Sequence, residues 1–101
     1  MKPSEALEAN RQAVRQAVQQ FKTENPRLFG SALYGNDLEG SDLEGSDLDL
    51  LVDPLPGTTL FDVGGLQIEL EELLGVPVDL LTPGDLPPKF RDAVLSEAKP
   101  V

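Results

Sequence analysis

Asp47 and Asp49 open the run Asp47-Leu-Asp-Leu-Leu-Val-Asp53. A β-strand repeats every two residues, so both carboxylates project from one face, with Leu51. Leu48, Leu50 and Val52 project from the other. Two negative charges about 4 Å apart repel by about 4 kcal/mol at an effective dielectric near 20. Such a pair must be exposed, protonated or bridged by cations. Oxygen-only ligation suits Mg²⁺, which takes one or two carboxylates and fills its shell with water and substrate phosphate. Two such ions could activate an attacking oxygen and stabilise a leaving one. Gly30-Ser31 is a second feature. A glycine directly behind a strand lets the backbone approach a ligand closely. Ser31, at a predicted helix start, offers N–H groups and a hydroxyl to a phosphate. Asp79 is the third. In Val78-Asp79-Leu80 its side chain faces away from two apolar neighbours, so it lies at a strand edge or faces the same site as Asp47 and Asp49. Taken singly, each has a plainer reading: a solvated strand end, a serine-capped turn, a surface strand position.

Composition narrows the chemistry. The 101 residues contain no Cys and no His. Disulfides, thiolate chemistry, the usual structural zinc sites and a serine–histidine relay are therefore excluded. What remains is carboxylates, hydroxyls, Lys, Arg, the lone Tyr34, backbone N–H groups and a bound cation. Eight Lys+Arg stand against 18 Asp+Glu, a net charge of -10. This argues against nucleic acid as a direct surface ligand, which needs clustered basic residues. Most of the excess lies in one segment: Asp37, Glu39, Asp42, Glu44, Asp47, Asp49 and Asp53, with no basic residue among them. That segment holds a five-residue repeat, Asn36-Asp-Leu-Glu-Gly40, Ser41-Asp-Leu-Glu-Gly45, Ser46-Asp-Leu-Asp-Leu50. Three copies are too few for a solenoid, and a local duplication within a loop is the better reading. No apolar run approaches the roughly 18 residues of a membrane span. Met1 to Asn10 lacks an apolar signal core, so a cytoplasmic protein without a membrane role is expected.

The elements that must position these residues can be read in order. The length suits one domain over residues 1–101. Ser4 caps a predicted helix to about Lys22, ended by Asn25-Pro26, with Leu7, Val14, Val18 and Phe21 on its apolar face. A strand begins at Arg27 and stops at Gly30-Ser31. Ala32 to Gly35 opens a short helix, and Asn36 to Ser46 reads as loop. Asp47 to Asp53 is a strand, and Pro54 to Gly57 a turn. Thr58 or Thr59 caps a helix ending near Leu74, with Val63, Leu66, Leu70 and Leu73 as its core face and Gly75 as its stop. Val76 to Leu81 is a third strand, and a last helix covers about Lys89 to Glu97. The expectation is an α/β (α+β) fold with a small mixed sheet covered by helices.

Leu28-Phe-Gly-Ser31, Ser46-Asp-Leu-Asp-Leu-Leu-Val52 and Val78-Asp-Leu-Leu-Thr-Pro83 together resemble the minimal nucleotidyltransferase family of the DNA polymerase β superfamily. Leu70-Glu-Glu-Leu-Leu-Gly75 and Arg91 to Pro100 also look like that family, so the resemblance runs from about Phe21 onward. It implies a polymerase-β-like mixed sheet with the active site on one face. It implies that Gly30 and Ser31 hold the triphosphate of ATP, that Asp47 and Asp49 bind Mg²⁺, and that Asp79 completes the metal site and helps deprotonate the attacking hydroxyl. Many relatives are antitoxins paired with HEPN-domain ribonuclease toxins, and some transfer AMP from ATP to a tyrosine of that partner.

The sequence departs from the family twice. Fifteen residues, Ala32 to Ser46, separate Gly-Ser from Asp-x-Asp, where relatives usually have about ten. The repeat accounts for the excess and creates a rival pair, Asp42 and Glu44, at the usual distance. Asp47 and Asp49 are preferred because an unbroken apolar strand follows them, whereas Gly45 interrupts after Glu44. The arginine that many relatives carry just after Ser31 is missing, with Arg27, Lys89 and Arg91 as substitutes for gripping phosphate or as solvated residues. Two functions stay open: a Mg²⁺-dependent transferase, or an acidic module that neutralises a ribonuclease by occlusion.

Overall fold

The structure, a computed structural model, describes residues 2–30 and 47–101. Ser31, Asp42, Glu44 and the short helix expected at 32–35 lie outside the described residues.

The predicted first helix is two. Helix α1 spans Pro3–Ala9 and α2 spans Arg11–Gln20. The chain turns at Asn10, whose side-chain amide donates to the Ala6 carbonyl at 2.8 Å. Asparagine competes with the backbone for its own hydrogen bonds, and here it ends one helix and starts the next. Lys2, not Ser4, occupies the N-cap, with Pro3 at the first position, where a missing N–H costs nothing. Ala6, Leu7, Val14, Ala17 and Val18 still form one buried face.

Strand β1 covers Thr23–Phe29 and runs antiparallel to β2, Leu48–Pro54. Asn25-Pro26 therefore lies inside a strand and does not terminate the helix. The register slips between Glu24 and Arg27, a bulge that absorbs Asn25 (φ 55) and Pro26. Proline has no N–H for the ladder and is tolerated at such a bulge. Thr23 anchors the strand start, its buried hydroxyl donating to the Val18 carbonyl at 2.8 Å.

Helix α3, Leu60–Leu74, carries the chain across the sheet to β3, Val78–Leu81, which pairs parallel to β2. Thr59 is its cap. The Asp62 N–H donates to the Thr59 hydroxyl at 3.3 Å, and the Thr59 N–H donates to the Asp62 carboxylate at 2.9 Å. Gly75, at φ 70, takes the left-handed conformation that stops the helix. Leu66, Leu70 and Leu74 are buried, with Val63 and Leu73 packed at the margin of the core. β3 lies at an edge of the sheet, where the Val78 N–H donates to Glu71 Oε2 at 3.0 Å and the Leu80 N–H to Gln67 Oε1 at 3.4 Å. Both acceptors come from α3.

A 3-10 turn, Pro83–Asp85, leads into α4, Pro88–Glu97. Strand β4, Lys99–Pro100, then pairs antiparallel with β1, and the sheet order is β3-β2-β1-β4. This strand was not expected. The Arg15 guanidinium donates to the Val101 carbonyl at 2.9 Å, and the Val101 N–H to the Pro26 carbonyl at 2.9 Å, which fixes the strand. Helices α1, α2 and α3 cover one face of the mixed sheet through Leu48, Leu50, Val52, Val78 and Leu80. The acidic side chains of β2 and β3 stand on the opposite face. Among the described residues no helix is long and apolar enough to cross a membrane.

Candidate active site

The pairing of three strands brings the predicted residues together. Asp79 is the register partner of Asp49 across the parallel β2–β3 pair, and Phe29 is its partner across the antiparallel β1–β2 pair. Neighbouring strands lie about 4.8 Å apart, so the Asp49 and Asp79 carboxylates rise side by side. Asp47 stands one strand repeat before Asp49. Leu48, Leu50, Val78 and Leu80 point the other way and are buried, which forces the acids onto the open face. Asp47 and Asp79 are exposed and Asp49 is partly buried. Leu51, on the same face of β2, is fully buried.

Gly30 closes the site at the end of β1. Its φ is 77, in the left-handed region that glycine tolerates. A methyl group built there would collide with Asp49 Oδ2 and come within 3.2 Å of Asp49 Cβ. Glycine at this position therefore makes room for the Asp49 carboxylate, a packing role not foreseen from the sequence.

Burial, and then the negative charges of Asp79 and Asp47, push the Asp49 carboxyl up from 3.8 to about 6. The three acids thus feel one another, and a nearby cation would relieve the repulsion. Among the described residues no group of three or more Asp, Glu, His or Cys side chains is placed to hold a metal ion.

The cationic candidates are otherwise engaged. The Arg27 guanidinium pairs with Asp53 at 2.5 Å and also donates to the Asn25 carbonyl at 3.2 Å. Arg91 donates to the Pro83 and Leu86 carbonyls at 2.9 and 3.1 Å, holding the turn before α4. The Lys89 ammonium sits 5.7 Å from the centre of the Phe90 ring.

The sequence pattern of the nucleotidyltransferase domain matches residues 11–101. The chain belongs to the nucleotidyltransferase domain family. The nucleotidyltransferase fold is confirmed by a solved candidate minimal nucleotidyltransferase, 40% identical, with a TM-score of 0.81 over 100% of this chain and 97% of that one. A Methanocaldococcus jannaschii protein, named as a candidate protein adenylyltransferase, is 44% identical over 50 residues. Those are 50% of this chain and 54% of the relative, so the match spans about half of the relative's length. Two toxin–antitoxin structures share the fold at lower identity. One, of an MntA–HpeT mutant, is 17% identical over 90% of this chain and 70% of that chain, with a TM-score of 0.68. The other, with AMP-PNP, is 20% identical over 90% of this chain and 71% of that chain, with a TM-score of 0.69.

Proposed function

We propose that this nucleotidyltransferase transfers AMP from ATP to a tyrosine hydroxyl of a HEPN-domain toxin and so silences it as an antitoxin. The observation that carries the reading is the set Asp47, Asp49 and Asp79 on adjoining strands, with Gly30 packed against Asp49. Asp47 and Asp49 would hold Mg²⁺ with Asp79 completing the set, and the ion would neutralise charge on the phosphates. Gly30 and Ser31 would receive the triphosphate. The tyrosine oxygen attacks the α-phosphorus, the bond from that phosphorus to the bridging oxygen breaks, and pyrophosphate leaves. The hydroxyl proton passes to Asp79. A protein acceptor suits a chain of net charge -10, since acidic surfaces steer basic partners and repel nucleic acid. The relative named for protein adenylyl transfer and the toxin–antitoxin neighbours support the same reading.

The test is incubation with α-labelled ATP, Mg²⁺ and the HEPN toxin. Wild type is expected to label the toxin, and an Asp47→Asn/Asp49→Asn double variant to leave it unlabelled and active. Absence of label with wild type rejects catalysis. Neutralisation retained by a double variant that adds no label would establish occlusion instead.

A further inference from the structure

Helix α3 has a second face that the core does not use. At 100° per residue, Phe61, Gly64, Ile68 and Glu72 form one stripe, opposite the buried Leu66, Leu70 and Leu74. Phe61 is 92% exposed and Ile68 60% exposed, and Leu60, one step round the helix, is 89% exposed. A water-facing stripe should be polar, and single apolar side chains there would need no explanation. This one holds large apolar residues on both sides of a glycine.

Gly64 is the decisive position. It sits inside a 15-residue helix, where glycine is the worst former except proline. A methyl group built on it would meet nothing within 4 Å, whereas one on the adjacent Gly65 would press on the Phe21 ring at 2.9 Å. Gly65 is thus accounted for by packing among the described residues, and Gly64 is not. A missing side chain between two exposed apolar ones makes a notch into which another backbone can settle. At the start of α3, Leu60 and Val63 line a cavity of about 190 Å³ with Pro54, Thr82 and Asp85, open to an anchoring side chain.

Charge selects the occupant. Helix α3 carries Asp62, Glu69, Glu71 and Glu72 and no Lys or Arg. A second copy of this chain would bring acid against acid, at a net charge of -10 each. We infer that the Phe61–Gly64–Ile68 stripe of α3 is the docking surface for the protein acceptor, which presents an amphipathic helix flanked by Lys or Arg. The inference rests on the reading that the acceptor is a protein, and adds where it is held.

The experiment measures binding of the HEPN toxin separately from transfer, by titration calorimetry with wild type, Phe61→Ser/Ile68→Ser and Gly64→Gln. Both variants are expected to bind the toxin at least about tenfold more weakly. Gly64→Gln is expected to melt at a higher temperature than wild type, because it removes a helix-breaking residue. A loss of binding in that variant therefore cannot come from unfolding. Affinity within twofold of wild type for both variants overturns the inference, whatever the transfer assay reads. So does absence of toxin binding by wild type, or a wild-type dimer in sedimentation that the Phe61→Ser/Ile68→Ser variant dissolves. Weakened binding by both variants, with no label transferred by wild type, would leave the docking surface standing and reject the transfer reaction.

Discussion

Replacing Asp49 by asparagine should stabilise the protein in a way that depends on pH. Burial, and then the charges of Asp79 and Asp47, push the Asp49 carboxyl from 3.8 up to about 6. Between these values the folded state holds a proton that the unfolded chain has released. Stability contributed by that proton is present below about pH 4 and is lost as pH rises through 6. The full shift corresponds to about 3 kcal/mol. Asp49 is only partly buried and water screens it, so about 1–2 kcal/mol is the reasonable figure. Asparagine cannot ionise and escapes the penalty. Melting curves of wild type and Asp49→Asn, taken with EDTA from pH 4 to 8, should show a gap that widens with pH by about 5–10 °C in favour of the variant. Carboxylates away from Asp47, Asp49 and Asp79 titrate alike in both proteins and cancel. Adding Mg²⁺ and ATP at pH 8 should then raise wild type towards or past the variant, since a ligand that binds only the folded state stabilises it. A gap that stays constant across the pH range would refute the claim that burial and the neighbouring acids raise the Asp49 carboxyl in the folded protein.

Three further outcomes follow from local geometry. Gly30→Ala combines left-handed strain with a collision against Asp49 and should cost about 1–3 kcal/mol in urea denaturation while also weakening Mg²⁺-ATP binding. Gly75→Ala, at φ 70 with nothing within 4 Å, should lose stability alone, and equal nucleotide binding by both variants would show that the Gly30 contact is irrelevant to the site. Thr59→Ala removes the α3 cap and should lower stability by about 1 kcal/mol in the same denaturation assay, with unchanged stability contradicting the capping role.

The parts of the fold legible in the sequence are those whose cause is local. The alternation of β2 is enough to sort Leu48 and Leu50 from Asp47 and Asp49. Thr59 and Gly75 mark both ends of α3 through capping chemistry that acts within one turn. The break at Asn10 escapes the pattern because Val14 and Val18 continue the apolar face of Leu7 across it, while the side-chain bond to Ala6 that makes the break leaves no periodic trace. Asn25-Pro26 reads as a helix end because proline excludes a helix. That it lies in a bulged strand depends on pairing with Asp53 and Leu51, residues more than twenty positions away. β4 has two residues and no period, and contacts with Arg11, Arg15, Pro26, Arg27 and Leu28 define it. At the site, strand alternation sets the face of Asp79, but its alignment with Asp49 comes from the parallel register. The commitment of Arg27 to Asp53 has no sequence signature at all.

The two bonds from β3 to α3 bear on assembly. An unsatisfied outer strand invites a foreign chain to extend the sheet, the route to fibrils and to recognition by strand addition. Here Glu71 and Gln67 fill the outward donors of Val78 and Leu80, and the charge of Asp79 lies between them. That border is sealed by the protein's own helix, so a neighbour must engage through side chains and not through main-chain extension. The same seal would let this acidic domain reach high concentration in a cell without polymerising along β3.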